Sequence, residues 1–175
     1  MNIWVINGKP RSGKDTFCDF CAMNHPYVNA ISTVDFVKDI AKSCGWSGEK
    51  DLKNRKFLSD LKDLLTNWND VPYQQVLKRI SVYENTLISY GIDTSRAVIF
   101  IHCREPEEIQ RFRRELKANA LLIRRPDCDQ EASNHADEEV EKDLSIYDLL
   151  IENNGTLEEL NKESKRFLGA IGVLS

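Results

Sequence analysis

Close to the start of the chain stands INGKPRSGKDTF, in which Gly8, four further residues, Gly13 and Lys14 follow one another. Residues of these types at this spacing suit the binding of a polyphosphate. Glycines let the backbone wrap so that successive N–H groups point inward at phosphate oxygens. A helix opening at Lys14 aims the positive end of its dipole at the same place, and the lysine itself brings a mobile cation to the β- and γ-phosphates. Where a Ser or Thr ordinarily follows the lysine, this chain has Asp15. A hydroxyl there binds Mg²⁺ directly; a carboxylate binds it with a full charge, directly or through water. Thr16 is expected to face the nucleotide from the first helical turn. The loop therefore predicts ATP binding by Gly8, Ser12, Gly13, Lys14, Asp15 and Thr16, with Asp15 as the Mg²⁺ ligand.

Such a loop works only between a strand and a helix, and the surrounding sequence supplies both. Ile3 to Ile6 is a short apolar run ending at Gly8, as a buried strand meeting a turn does. Lys14 to Met23 carries no breaker and closes at His25-Pro26, as a helix should. Val28 to Ser32 reads as a second strand. Three helical stripes follow, on Val34, Val37, Ile40 and Ala41, on Leu58, Leu61, Leu64 and Leu65, and on Val76, Ile80, Leu87 and Ile88, with breaks at Gly45, Gly48 and Asn69-Asp70. Ala97 to Ile101 is the clearest buried strand, nearly continuous in apolar residues as parallel strands are. A charged helix over 106–117, a strand over Ala120 to Ile123 and a polar stretch up to Asp143 come next. Tyr147 to Ile151 is the last strand, and Thr156 with Glu159 forms a capping box for the last helix. Alternating strands and helices predict a three-layer α/β/α fold around a five-stranded parallel sheet. The chain is read as one domain, residues 1–175, with a helical insertion at 33–91 and a long loop at 124–145.

Composition narrows the class. The chain has 175 residues, enough for one domain with a proper core, and a net charge of −4 argues against a protein that coats nucleic acid. No basic n-region or long apolar stretch precedes the first strand, so a cytoplasmic protein without a membrane segment is expected. Five cysteines, an odd number, are expected to be reduced. Cys18 and Cys21 form a C-x-x-C and His102 adjoins Cys103, but Phe17 and Phe20 interleave the pair, which makes small core residues of both rather than zinc ligands.

GKPRSGKDT resembles the phosphate loop of the phage-type deoxynucleoside monophosphate kinases, in which Asp follows the lysine; animal phosphomevalonate kinases share that Gly-Lys-Asp variant. Further stretches resemble the same kinases in order. VDFVKDIA is similar to their Asp-x-x-Lys after the second strand, and EKDLKNRKFLSDL to their acceptor-side helix carrying an arginine. CREPEE is similar to their Arg-x-x-x-Glu after the third strand. IENNGTLEEL resembles the segment after the last strand, also seen in dephospho-CoA kinases. The resemblance implies a P-loop kinase whose insertion at 33–91 binds a small-molecule phosphate acceptor and whose lid at 124–145 closes over the phosphates. It also implies no nucleic-acid polymer, no membrane, and a monomer or homodimer.

On that resemblance Arg11 reaches the transferred phosphate, and Arg55 holds the acceptor's phosphate bidentately or belongs to a solvated face. Asp35, with Lys38 beside it, orients the acceptor or its metal, or caps a helix. Arg104 leaves the carboxyl end of the third strand, the edge where open α/β sheets bind ligands. Arg124 and Arg125 enter the lid, where His135 is a candidate base or a solvent-exposed residue, and the acidic run Glu138 to Asp143 is a solvated face. Asn153, Asn154 and Gly155 form the adenine rim or simply a turn. Trp46, Trp68, Tyr73 and Tyr83 can stack an acceptor base but are mostly expected in the core. The kinases carry an acid two positions before the arginine, where this chain has His102. Either Asp15 takes more of the magnesium duty, or Glu107 or Glu108 does, or catalysis is weak. Three functions stand: a (deoxy)nucleoside monophosphate kinase acting through Lys14, Arg11, Arg104 and Arg125; a kinase for phosphomevalonate or dephospho-CoA; and a non-catalytic ATP sensor.

Overall fold

The computed structural model describes residues 1–49, 51–126 and 142–174. The chain runs β1 (Asn2–Asn7), α1 (Lys14–Asn24), β2 (Val28–Ser32), α2 (Asp35–Ser43), α3 (Leu52–Asn69), α4 (Val71–Ser89), β3 (Val98–His102), α5 (Pro106–Leu116), β4 (Asn119–Arg124), β5 (Leu149–Glu152) and α6 (Leu157–Ala170). The five strands form one parallel sheet in the order β2-β3-β1-β4-β5. Every strand and helix expected from the sequence is present, with ends shifted by one or two residues. Of the expected lid, residues 127–141, including Cys128 and His135, lie outside the described residues, as does most of the acidic run from Glu138. No helix among the described residues is long and apolar enough to cross a membrane.

Two compact units divide the chain, one made of residues 1–30 and 91–175, the other of residues 31–90. In the first, the pleat of the parallel strands sends alternate side chains to opposite faces. Trp4, Ile6, Val98, Phe100, Leu121 and Ile123 point to one face and pack with Phe17, Cys18 and Cys21 of α1 and with Leu160, Phe167 and Leu168 of α6. The rings of Phe17 and Phe100 both meet Phe167, with centroids 5.6 and 5.7 Å away. Val5, Ile99, Ile101, Ala120 and Leu122, all fully buried, take the other face, where α5 lies against β1 and β4 with Ile109 and Phe112 buried. Cys18 and Cys21 are thus core residues, as their setting between phenylalanines implies.

Arg113 of α5 secures the approach to β5. It donates to the Ile146 carbonyl (2.8 Å) and to Asp148 (2.6 Å), whose other oxygen accepts from Ala120 N at 2.8 Å. The chain is therefore fixed on both sides of the polar stretch, by β4 before it and by this clamp after it. At the start of α6 the capping box is complete: Thr156 Oγ1 accepts from Glu159 N (3.3 Å) and Glu159 Oε2 accepts from Thr156 N (2.7 Å). The bonds that Thr156 donates to the Glu159 carboxylate, from its backbone N first and from its hydroxyl at 3.1 Å second, hold that carboxyl below its ordinary range. The stabilisation is present above the ordinary carboxylate pKa and is lost as pH falls through the lowered one. Thr156→Ala should cost about 1 kcal/mol, read as a shift in the urea midpoint at neutral pH that shrinks on acidification.

The second unit is made largely of α2, α3 and α4. Its aromatic residues correct the expectation that most of them are core: Tyr73 is buried, but Trp68 is 76% exposed and Trp46 and Tyr83 are half-buried. The reason is geometric. α3 packs chiefly on α2 and α4 and buries none of its residues fully, and a stripe on its outer side, Leu64 and Trp68 included, stays in solvent.

Candidate active site

Asn7 sets the site's foundation. It ends β1, is fully buried, and distributes its amide among three pieces of chain. Its Oδ1 accepts from Gly8 N at 2.8 Å, and its Nδ2 donates to Tyr147 Oη at 2.8 Å and to the Arg104 carbonyl at 3.4 Å. The loop, the end of β3 and the approach to β5 are thereby tied together. Sequence reading missed this residue; the signal was a polar side chain closing an otherwise apolar strand directly before the loop's first glycine.

The loop then turns tightly enough to require its glycines. A Cβ on Gly8 would lie 2.5 Å from the Ile123 carbonyl oxygen and 2.5 Å from Ser12 Oγ. Gly13 has φ +94°, and a Cβ there would lie 2.4 Å from Asn153 Nδ2. Arg11 adopts φ +64° without being glycine, a conformation that costs free energy and that clusters at functional sites. Ser12 is buried, its N–H donates to the Lys9 carbonyl at 3.1 Å, and its Oγ has no hydrogen-bond partner among the described residues.

Asn153 braces the loop from the far side. Its Nδ2 donates to the Ser12 carbonyl at 2.8 Å, and its backbone N donates to the Arg124 carbonyl at 2.7 Å. Its amide N–H thus serves the loop, a contact that a turn-like Asn-Asn-Gly does not advertise. Asn153→Ala leaves the Ser12 carbonyl without that donor and should cost about 1–3 kcal/mol. Chemical denaturation measures the loss, and nucleotide affinity should fall with it.

Above the loop lies a cavity of about 330 Å³. Arg11, Gly13, Lys14, Asp15 and Thr16 line one wall together with Arg125, which follows β4. Asn153, Gly155, Leu157 and Leu160, from the turn after β5 and from α6, line the other. Eight of the residues expected to bind nucleotide or phosphate therefore meet at one cavity. Gly8 and Ser12 do not line it and belong to the loop's own packing. Arg124 turns along the sheet edge, with Nη1 3.5 Å from Glu152 Oε1, its register partner on β5. Arg104 stands at the carboxyl end of β3, half-buried, and does not line the cavity.

Asp35, Lys38 and Arg55 belong to the other unit. Asp35 Oδ2 accepts from Ser32 N at 3.0 Å, at the start of α2, and from Arg79 Nη1 at 2.5 Å. Arg79, on α4, was not anticipated from the sequence. Lys38 is half-buried on α2, and Arg55 is exposed on α3.

His102, the departure from the kinase pattern, touches the loop helix twice. Its Nδ1 lies 3.3 Å from Asp15 Oδ1 and its Nε2 3.7 Å from Cys18 Sγ. Burial pushes the Cys18 thiol well above its ordinary pKa, so it stays protonated beside the ring. Glu108, the other candidate acid, has Oε2 3.2 Å from Cys103 Sγ, and Glu107 is exposed.

No protein-family model matches the chain, and no curated protein matches it in sequence. Solved structures do. A dephospho-CoA kinase from Campylobacter jejuni superposes with a TM-score of 0.55 at 14% identity, over 97% of this chain and 97% of that one. A sugar kinase from Janibacter sp. HTCC2649 gives a TM-score of 0.49 at 14% identity, over 100% and 99% of the two chains. At such identity the first likeness is one of fold, and the chain has the P-loop α/β/α fold that its loop, strand order and sheet describe.

Proposed function

We propose that the chain is an ATP-dependent phosphotransferase that moves the γ-phosphate of ATP to a phosphate on a (deoxy)nucleoside monophosphate. One observation carries the reading: Lys14, Arg11 and Arg125 meet at a single cavity beside Asp15, at the carboxyl edge of the sheet. Three cations there suit a polyphosphate. The exposed carboxylate of Asp15 is a hard oxygen donor of the kind Mg²⁺ takes, with Thr16 one residue on.

When bound, Mg²⁺ neutralises charge on the phosphates between which the group moves. Lys14 and Arg11 hold the transferring group and stabilise its charge, and Arg125 closes on it from the lid side. No general base is required, because the acceptor phosphate is already ionised at neutral pH. In this reading residues 33–91 receive the acceptor, Lys38 and Arg55 hold its phosphate, Arg104 contacts the reacting phosphates, and residues 124–145 act as a lid that excludes water. A second acceptor, dephospho-CoA, keeps the same machinery; the fold likeness to a dephospho-CoA kinase favours it.

ADP release from ATP and Mg²⁺ should be measured against the four deoxynucleoside monophosphates, AMP, GMP, phosphomevalonate and dephospho-CoA. Release that depends on one of them establishes the transfer and names the acceptor. ATP binding with no acceptor-dependent release replaces the proposal with that of an ATP sensor.

A further inference from the structure

We propose that His102 is a positioning residue for Asp15: the ring closing β3, held from behind by the Cys18 thiol, presets the Asp15 carboxylate for a divalent cation carried by the nucleotide. The inference rests on the proposed function and assigns a role to the residue that stands where the resembling kinases carry an acid.

Asp15 and Cys18 are three residues apart on α1, which puts both side chains on one helix face. A single ring from the neighbouring strand spans them, with Nδ1 3.3 Å from Asp15 Oδ1 and Nε2 3.7 Å from Cys18 Sγ. Contacts at both nitrogens hold the ring's plane. The ring is mostly enclosed, its side chain 18% exposed, while that of Asp15 is 77% exposed and lines the cavity. An open carboxylate on a first helical turn samples several rotamers, and contact with a fixed ring restricts them. So exposed a contact adds little to folding stability. Its consequence falls on whatever meets the carboxylate. Partners that orient a ligating group commonly change metal affinity by about 10–100-fold.

The test separates metal affinity from nucleotide affinity. Binding of Mn²⁺ to the ADP complex is followed by the electron paramagnetic resonance of the free ion, and binding of ADP in chelator by calorimetry. His102→Ala should weaken Mn²⁺ binding about tenfold while ADP affinity in chelator changes less than about twofold. His102→Phe, which keeps the ring's volume without its nitrogens, should show the same loss, and Cys18→Ser, which keeps a donor, should retain most of the affinity. In an Asp15→Asn background His102→Ala should add nothing, because no carboxylate remains to be oriented. Unchanged Mn²⁺ affinity in His102→Phe, or an equal loss in the Asp15→Asn background, overturns the inference and leaves the proposed function standing. A wild-type chain that binds no ADP overturns both.

Discussion

Lys14→Ala is expected to lower acceptor-dependent ADP release by about 10²–10³-fold, the range seen when one preorganised electrostatic partner of a transition state is removed. The fold should survive. Lys14 is the first residue of α1 and lines the cavity, while the core beneath is built from Phe17, Cys18 and Cys21. Alanine is also a good helix former at that position. The thermal midpoint should therefore stay close to that of the wild type, a substitution outside the core usually changing stability by no more than about 0.5 kcal/mol. Turnover and melting measured on the same preparation decide the matter. Retained turnover removes the lysine from the reaction; lost turnover with a lost fold makes it structural.

Gly8→Ala should act on the fold and the site together, at about 3–4 kcal/mol of stability from crowding and backbone strain combined. The new methyl would sit 2.5 Å from the Ile123 carbonyl oxygen. That oxygen belongs to β4, paired on one side with β1 and on the other with β5, and cannot rotate away as a side chain can. Relief must come from the loop, which would draw Gly8 N off Asn7 Oδ1 and disturb the backbone that leads to Lys14. A lower denaturant midpoint accompanied by weaker ATP binding is the expected pair of results. A variant as stable as the wild type shows that the loop has more room at Gly8 than this packing leaves.

What could be read from the sequence follows from how local each signal is. The phosphate loop is written in consecutive residues, and the strands β3 and β4 in unbroken apolar runs, so periodicity and spacing suffice for them. The capping box of α6 is equally local. Asn7, Arg79 and Arg113 act over long separations, on Tyr147, Asp35 and Asp148 respectively, and no window of sequence contains both partners. The bridge from His102 to Asp15 and Cys18 escaped for the same reason: the residue stood out as a departure, but its partner lies on another element. The α3 stripe misled in the opposite direction. Leu64 and Trp68 carry helical periodicity, yet they lie on the side of α3 that stays in water.

The strand order has a consequence for how the chain is made. β1 lies at the middle of the sheet, with residue 2 opposite residue 98 of β3 and residue 4 opposite residue 119 of β4. Neither partner exists until the ribosome has passed residue 90, and pairings of such high sequence separation are slow to form once they can. Residues 31–90, which form a compact unit of their own, are complete in the interval. Until β3 and β4 arrive, β1 is an apolar strand with both edges open, the kind of segment that pairs wrongly or recruits a chaperone. The loop that follows it cannot take its binding shape either, since Ile123 and Asn153, which brace it, are made later still. The phosphate loop is synthesised before the segments that give it its shape.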